Sequence, residues 1–258
     1  KFIEKIYIRD DGSTDETIVI LNKYCLTFPE LIEIVFDGKG NLGPKNSFLS
    51  LTTYSTADFI AFCDQDDVWD RNKLSNISDF YFNKLQHFNP KLHAFVIHSD
   101  LKVVDAELNV LNQSFCRSLN INGHESNVGA VLVRNTVTGC AMVLSRRLLE
   151  LGKIGHDSFK LHDHWFACLA AMNEGIYFID KQLVLYRQHG KNCVGAPKKL
   201  NIERIFNFVG RDVLLKLFAK IRELFSFDWN VCAKRAKDLC FALGGGMKNE
   251  DKCILNEI

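Results

Sequence analysis

Three carboxylates stand together in the stretch Asp64-Gln65-Asp66-Asp67, directly after the apolar run 59–62. Carboxylates this close repel one another unless a cation offsets their charge. Hard divalent ions such as Mg²⁺ and Mn²⁺ prefer carboxylate oxygens together with substrate phosphates. One hypothesis is therefore a metal site that neutralises a diphosphate leaving group. The alternative is an acidic cap, stabilised by the dipole of the helix that follows.

A second acidic stretch, 9–15, contains Asp10 and Asp11 followed by a glycine. A carboxylate here could accept hydrogen bonds from a nucleobase or from ribose hydroxyls. The composition fits a simple turn before a helix N-cap equally well.

Two later stretches combine acidic, basic and aromatic residues. In the stretch 162–165, Asp163 lies between two histidines and is a candidate general base; the alternatives are an N-capping Asp and a histidine metal pair, whose members would point apart on a helix. Arg187 and His189 could hold a diphosphate or complete a metal shell. The alternative for this last stretch is a polar turn.

Alternating strands and helices are predicted to position these residues. Apolar runs at 3–8, 31–36 and 58–63 each predict a strand that ends in a polar loop. Ser13 and Glu16 predict a capping box, and Pro44 predicts the start of the next helix. Because ligands of open α/β sheets bind beyond the carboxyl ends of strands, the three loops predict one shared site.

The rest of the chain continues this pattern with one polar interruption. The stretch 107–135 is predicted to be an irregular substrate-binding loop. The other predictions are helices at 71–86 and 146–151, a helix beginning near 162, and strands at 94–104, 140–144, 176–179 and 183–186. From residue 201 to 224 the apolar residues keep a helical step with basic residues between them. That helix either touches an anionic membrane or docks on the domain.

Composition excludes several classes of protein. The 258 residues are 47% hydrophobic with a net charge of +1, which disfavours disorder and a dedicated nucleic-acid binder. The nine cysteines are odd in number and form no C-x-x-C pair, so we expect a reducing cytoplasm rather than a disulfide framework or zinc knuckle. The sequence has no run of 18 apolar residues that would predict a membrane span. The first methionine is Met142, so we expect a fragment of a longer protein.

The order of the motifs is more specific than any one of them, and it resembles glycosyltransferase family 2. Within that family it is similar to the rhamnosyltransferase-like branch that builds bacterial surface polysaccharides. The resemblance covers roughly residues 3 to 195 and rests on these stretches in order: DDGSTDET, NLGPKNSF, FCDQDDVW, NTVTGCAMVLSRRLLEL, HDHW and YRQHGKN.

The resemblance implies a GT-A fold, which is an α/β, Rossmann-like fold with a mixed, mainly parallel sheet flanked by helices. It places a catalytic domain at 1–197 and leaves 198–258 as a helical C-terminal extension. Members of the family normally begin with a strand that would lie just before Lys1. We therefore expect the first strand to be missing and its neighbours to carry exposed edges.

The resemblance also implies a role for each candidate residue. Asp163 would be the catalytic base that deprotonates the acceptor hydroxyl. The metal would be held by Asp64 and Asp66, with Asp67 adjoining. The remaining nucleotide-sugar contacts are implied for Asp10, Asp11, Gly139, Arg187 and His189, with Asp11 on the nucleobase, Gly139 beneath the sugar, and Arg187 and His189 near the diphosphate.

The implied function is an inverting sugar transfer that depends on Mg²⁺ or Mn²⁺. The donor would be an NDP-sugar, with dTDP-L-rhamnose first and UDP-hexoses next. The acceptor would be a glycan or lipid-linked glycan at the cytoplasmic face of the inner membrane.

Two alternatives stay open. One is a non-catalytic sugar-nucleotide or glycan-binding module of the same fold. The other is a haloacid-dehalogenase-type phosphatase, since the stretch 64–68 fits D-x-D-x-[TV]. That motif normally lies on the first strand, and the later acidic pair of such enzymes is absent from this sequence.

Overall fold

A computed structural model describes residues 2–153, 158–189 and 229–242 of the chain. This part contains eight strands: β1 (Ile6–Ile8), β2 (Ile32–Ile34), β3 (Phe59–Ala61), β4 (Val68–Trp69), β5 (Val96–Val104), β6 (Val110–Asn112), β7 (Met142–Ser145) and β8 (Ile176–Arg187). It also contains eight α-helices: α1 (Thr17–Thr27), α2 (Gly43–Leu51), α3 (Lys73–Phe80), α4 (Phe115–Leu119), α5 (Val128–Val133), α6 (Arg146–Leu151), α7 (His162–Met172) and α8 (Trp229–Ala242).

The strands form two sheets. β1 and β2 pair in parallel, and the larger sheet has the order β3-β7-β5-β8-β4, with β6 added to β5. The mixed sheet is confirmed, but the expectation that it is mainly parallel is wrong for the larger sheet. Among the described strands of that sheet, β5 and β8 are the only hydrogen-bonded neighbours that run parallel, whereas β7 is antiparallel to β3 and β5, β6 is antiparallel to β5, and β4 is antiparallel to β8.

The three strands that begin the chain do not form one row. Within the described residues β1 pairs only with β2, and β3 pairs only with β7. The loops after β1 and β3 are nevertheless linked through α2, whose Phe48 ring packs on Phe62 at the end of β3, with a centroid separation of 5.3 Å.

Strand β8 corrects the prediction of two separate strands. The polar residues Asp180 and Lys181 lie inside one continuous strand, at a point where the pairing with β5 shifts register. A bulge leaves such residues exposed while the ladder continues on either side. The sequence pattern therefore indicated a break where the structure has an irregularity.

The predicted capping box at the start of α1 does not form. The helix begins at Thr17, and it is Asp15 that accepts hydrogen bonds from the Thr17 backbone N–H and hydroxyl. The prediction for α2 is confirmed, with Pro44 in its first turn.

The polar stretch 107–135 is more regular than expected. It contains β6 and the short helices α4 and α5, and the side chains of Ser114 and Asn127 cap these two helices. Arg134, near the end of the stretch, donates to the carbonyl of Leu119 in its middle. Local capping hydrogen bonds, which an apolar pattern does not reveal, explain the difference.

The main core surrounds α7, in which all 11 residues are buried. The helix packs against α2, α5, α6, β5 and β8. Its close contact with α6 requires a glycine, because a Cβ at Gly152 would come within 2.1 Å of the Phe166 ring. Residues Ala236 and Leu239 of α8 join the same core.

None of the described helices is both long and apolar enough to cross a bilayer. The basic helix predicted at 202–224 lies outside the described residues, as does most of the predicted extension 198–258. The predicted boundary at 197 therefore stays a prediction.

Candidate active site

The acidic loop 64–67 joins β3 to β4 and faces the end of β8. Asp67 Oδ1 accepts from the Arg187 backbone N–H at 2.9 Å. Burial, together with the charges of Asp67 and Asp66, raises the pKa of Asp64 to about 7. Burial also raises the pKa of Asp67. The fold thus holds two carboxylates where ionisation is unfavourable without a cation.

A group of three side chains in this loop is suited to hold an ion. The ligand atoms of Asp64, Asp67 and Cys140 lie within 4.8 Å of one another. Asp67 Oδ2 is buried and has no hydrogen-bond partner among the described residues. Burial raises the pKa of the Cys140 thiol well above its usual range, and Asp64 and Asp67 supply the carboxylate oxygens of the group. Such oxygens fit Mg²⁺ or Mn²⁺.

The structure does not bring Asp66 into this group. Its Oδ2 lies 2.9 Å from Nε2 of His189 instead, and its backbone carbonyl accepts from Nε of Arg187 at 2.8 Å. Arg187 also donates to the carbonyl of Ala106. Arg187 and His189, which were predicted to bind the diphosphate, therefore contact the acidic loop. The sequence does not reveal this contact, because Arg187 lies 120 residues after Asp67.

Asp163 occupies the first turn of α7 and is buried. Its Oδ1 accepts from the His164 backbone N–H at 2.6 Å, and its Oδ2 accepts from the Gly139 backbone N–H at 3.1 Å. Burial raises the pKa of Asp163 to about 6. The N-cap position belongs to Leu161, so the alternative of an N-capping Asp is wrong.

Asp163 lies near the acidic loop. The charge of Asp163 contributes to the raised pKa of Asp64. The helical turn Gly139–Ala141 connects them, since Gly139 donates to Asp163 and Cys140 belongs to the ion-binding group. An ionised carboxylate with an elevated pKa next to a cation site is suited to accept a proton.

The two histidines beside Asp163 diverge, as expected for adjacent-but-one residues on a helix. His164 Nε2 lies 2.7 Å from the carbonyl of Val131, in the core. His162 packs between the rings of Phe48 and Phe62, with neither ring nitrogen partnered among the described residues. They do not form a metal pair. A Cβ at Gly139 would lie 3.1 Å from His162 Nε2, so this position favours glycine.

Asp10 and Asp11 form a second cluster at the end of β1. Asp10 accepts from the backbone N–H groups of Gly12 and Ser13, which makes the predicted turn. Asp11 accepts from the N–H groups of Leu42 and Gly43 at the start of α2, both at 2.7 Å, and pairs with Arg9. The structure therefore assigns Asp11 a capping position, and a nucleobase contact stays a prediction.

Lys73, which the sequence analysis did not single out, lies next to the acidic loop. Lys73 is fully buried, its Nζ donates to the carbonyl of Cys140 at 2.6 Å, and it lies 3.5 Å from the centroid of the Trp69 ring. A signal was present in the sequence. Lys73 begins a helix, where the dipole disfavours a cation, and only a nearby negative group would offset that.

Comparison with known proteins gives one matching family and several relatives. Residues 3–85 match the profile of glycosyl transferase family 2. The dTDP-rhamnosyl transferase RfbG of Shigella flexneri is 28% identical over 210 residues, which cover 74% of this chain and 65% of that protein. The uncharacterized glycosyltransferase alr2836 of a Nostoc species is 32% identical over 77 residues, covering 30% of this chain and 23% of that protein.

Solved structures share the fold. S. aureus TarS 1–349 in complex with UDP-GlcNAc has a TM-score of 0.57 at 16% identity, covering 98% of this chain and 62% of that chain. Its complex with UDP has a TM-score of 0.54 and covers 60% of that chain. The predicted GT-A fold is confirmed. The chain spans about two thirds of the length of RfbG and somewhat less of TarS 1–349.

Proposed function

We propose that this chain is a metal-dependent, inverting glycosyltransferase of family 2, because residues 3–85 match that family and because the chain is similar to RfbG and shares the fold of TarS. Its donor is a nucleoside diphosphate sugar. The observation that carries the proposal is the proximity of Asp163 to the acidic loop, where a carboxylate with a pKa of about 6 lies near a candidate ion-binding group.

Asp163 is the residue we assign as the base. It accepts the proton of an acceptor hydroxyl as that oxygen bonds to the anomeric carbon and the bond from carbon to diphosphate breaks. One displacement inverts the anomeric centre, and no protein nucleophile is needed. The two N–H groups that hold Asp163, from Gly139 and His164, fix the carboxylate in place. They leave its basicity elevated by burial.

The acidic loop is assigned to the diphosphate. Asp64 and Asp67 would hold Mg²⁺ or Mn²⁺, which supplies charge neutralisation for the leaving group when bound. Asp66 joins them by the family resemblance, on release of its contact with His189. Arg187 and His189 are placed to orient the diphosphate, since both already contact this loop.

The names of similar proteins support the choice of donor. RfbG is named as a dTDP-rhamnosyl transferase, which supports dTDP-L-rhamnose as the first choice of donor. The TarS complexes contain UDP-GlcNAc and UDP, which supports UDP-hexoses as the next choice. We further propose a glycan or lipid-linked acceptor in surface polysaccharide synthesis, reached from the cytoplasm with peripheral membrane contact.

The alternative of a non-catalytic sugar-nucleotide-binding module differs in one measurable respect. Such a module would bind donor without turnover, and it would have no use for a buried base. The phosphatase alternative is set aside, because residues 3–85 match a glycosyltransferase family and the described structure has a GT-A fold.

Calorimetric titration with a panel of nucleoside diphosphates and NDP-sugars, in Mn²⁺ and in EDTA, tests the proposal. We expect one base to bind in a metal-dependent manner, and Asp66→Ala to weaken that binding. A donor that binds and is never transferred or hydrolysed would favour the binding module. Binding of no nucleotide, with or without metal, would contradict the proposed function.

A further inference from the structure

The charge of Lys73 is buried where the cation site is assigned. The side chain has no exposed surface, although a buried lysine is costly to maintain. Met or Leu would fill the same space without that cost. The retention of an ammonium group here indicates that its charge acts on neighbouring groups.

The contacts of Lys73 do not include the carboxylates of Asp64 and Asp67. Its Nζ donates to the carbonyl of Cys140 and lies over the Trp69 ring, and none of the ion pairs within 4.0 Å in the described part of the chain involves it. The charges of Asp67 and Asp64 nevertheless act on it and oppose the effect of burial, which lowers the pKa of Lys73 to about 8. Lys73 is therefore a fixed countercharge that does not occupy the oxygens a cation would need.

We propose that Lys73 is a positioning residue that makes cation binding depend on the donor. Its ammonium group partly neutralises the acidic loop, so a divalent cation alone meets repulsion from Lys73. The diphosphate of the donor supplies the negative charge that offsets both cations. Because Lys73 is fully buried, it acts on the ligands through its electric field and not by contact.

This inference rests on the proposed function and predicts two shifts of opposite sign. In Lys73→Met, Mn²⁺ alone should bind more tightly, by about fivefold or more, because the repulsion is gone. UDP or dTDP in EDTA should bind more weakly, by about fivefold or more, because an attraction is lost. A purely structural role would weaken both ligands together.

Calorimetric titration of the full chain with Mn²⁺ alone, and with UDP and dTDP in EDTA, measures both shifts. The measurements are made at a pH of about 7.5, which is above the pKa of about 7 of Asp64 and below the pKa of about 8 of Lys73, so that both groups carry charge. Lys73→Arg keeps the charge and the donor and should resemble the wild type. Lys181→Met, at an exposed lysine of β8, is the matched control and should change neither affinity.

Circular dichroism and thermal melting establish that each variant is folded, and Lys73→Gln provides a second neutral variant should Met fail to fold. Equal weakening of both ligands in the folded neutral variants, or no change in either, would overturn the role of Lys73. A wild type that binds neither nucleotide, even with Mn²⁺, would instead contradict the proposed function. The two failures are therefore distinguishable.

Discussion

Helices α1 and α7 have the same length of 11 residues and nearly the same average hydrophobicity, yet their environments are opposite. Every residue of α7 is buried, whereas within the described structure α1 buries none. Val19 and Leu26 of α1 are 69% and 85% exposed. An apolar helix therefore does not by itself indicate a core. Burial depends on which elements surround it.

The two regions are held together by different forces. Around α7, side chains from two sheet strands and three helices form a packed apolar core. At the beginning of the chain, Arg9 pairs with Asp37 and Asp11, and Asp11 caps α2. The residue that we propose as the catalytic base thus lies in the region with the packed core, and the residues proposed for the nucleobase lie in a region held by polar contacts. The following predictions test that division.

The largest effect is expected for Asp163→Asn. The amide keeps the size of the carboxylate and can still accept from Gly139, but it cannot take a proton. We expect turnover to fall by about 10²–10⁴-fold with donor affinity unchanged, measured by release of the nucleoside diphosphate and by calorimetry. Near-full turnover in the variant would show that the base is another residue.

The pH profile of the wild type sharpens this test. Because the base must be ionised, kcat/KM should rise with pH, with a midpoint near the Asp163 pKa of about 6. Asp163→Asn should lose this step. A step of the same midpoint in both proteins would assign it to another group.

A core truncation should separate the two regions in stability. Phe166→Ala in α7 removes a fully buried ring that stacks near Phe62, and we expect it to lower the free energy of unfolding by about 3–5 kcal/mol. Ile20→Ala in α1 is the matched truncation at a half-exposed position, and it should change the free energy of unfolding by about 0.5 kcal/mol or less. Denaturant unfolding measures both. Similar losses in the two variants would contradict the comparison.

Asp64→Asn should stabilise the metal-free protein while it removes metal-dependent donor binding. A carboxyl whose folded pKa is raised to about 7 stabilises the fold at low pH and loses that contribution as pH rises through 7. In EDTA above pH 7 we expect the variant to gain about 1–3 kcal/mol in the free energy of unfolding. This gain should shrink as the pH falls from 7 towards 3.8, the ordinary pKa of the carboxyl. Melting with EDTA and with Mn²⁺ checks this, and a loss of stability in EDTA would contradict it.

A smaller effect than those of the core and acidic-loop variants is expected for Asp11→Ala. Losing the acceptor at the start of α2 should cost about 1 kcal/mol at neutral pH. Although burial opposes it, hydrogen bonds from Leu42 and other donors lower the pKa of Asp11, so its contribution should vanish as pH falls below 3.8. Unfolding at pH 7 and in acid measures this. Asp15→Ala at the start of α1 is the control, with a smaller effect expected.

Much of the fold could be predicted because each strand and helix has a local signal. Pro44 begins α2, the apolar run before Asp64 is β3, and α6 has the predicted bounds. Where the prediction of an element was wrong, the contact that determines the observed structure is a backbone or polar hydrogen bond and not an apolar contact. Asp15, and not the predicted capping box, accepts the backbone N–H at the start of α1. The bulge at Asp180 lies within one strand where two strands were predicted.

The candidate site was predicted residue by residue but not as an arrangement. Pairing of β4 with β8 brings Arg187 and His189 onto the acidic loop. The turn at Gly139 connects that loop to Asp163. These are long-range contacts, and no periodicity or spacing in the sequence encodes which loop faces which.

The sequence by itself determined the family resemblance, the order of the elements and the acidic, basic and amide groups available for chemistry. Only the tertiary structure decided which carboxylates are buried and which are already partnered. It separated Asp66, in contact with His189, from Asp64 and Asp67, and it enclosed Lys73 beside them. The physical reason is that charges interact through space. Burial and distance, which set the strength of that interaction, exist only once the chain is folded.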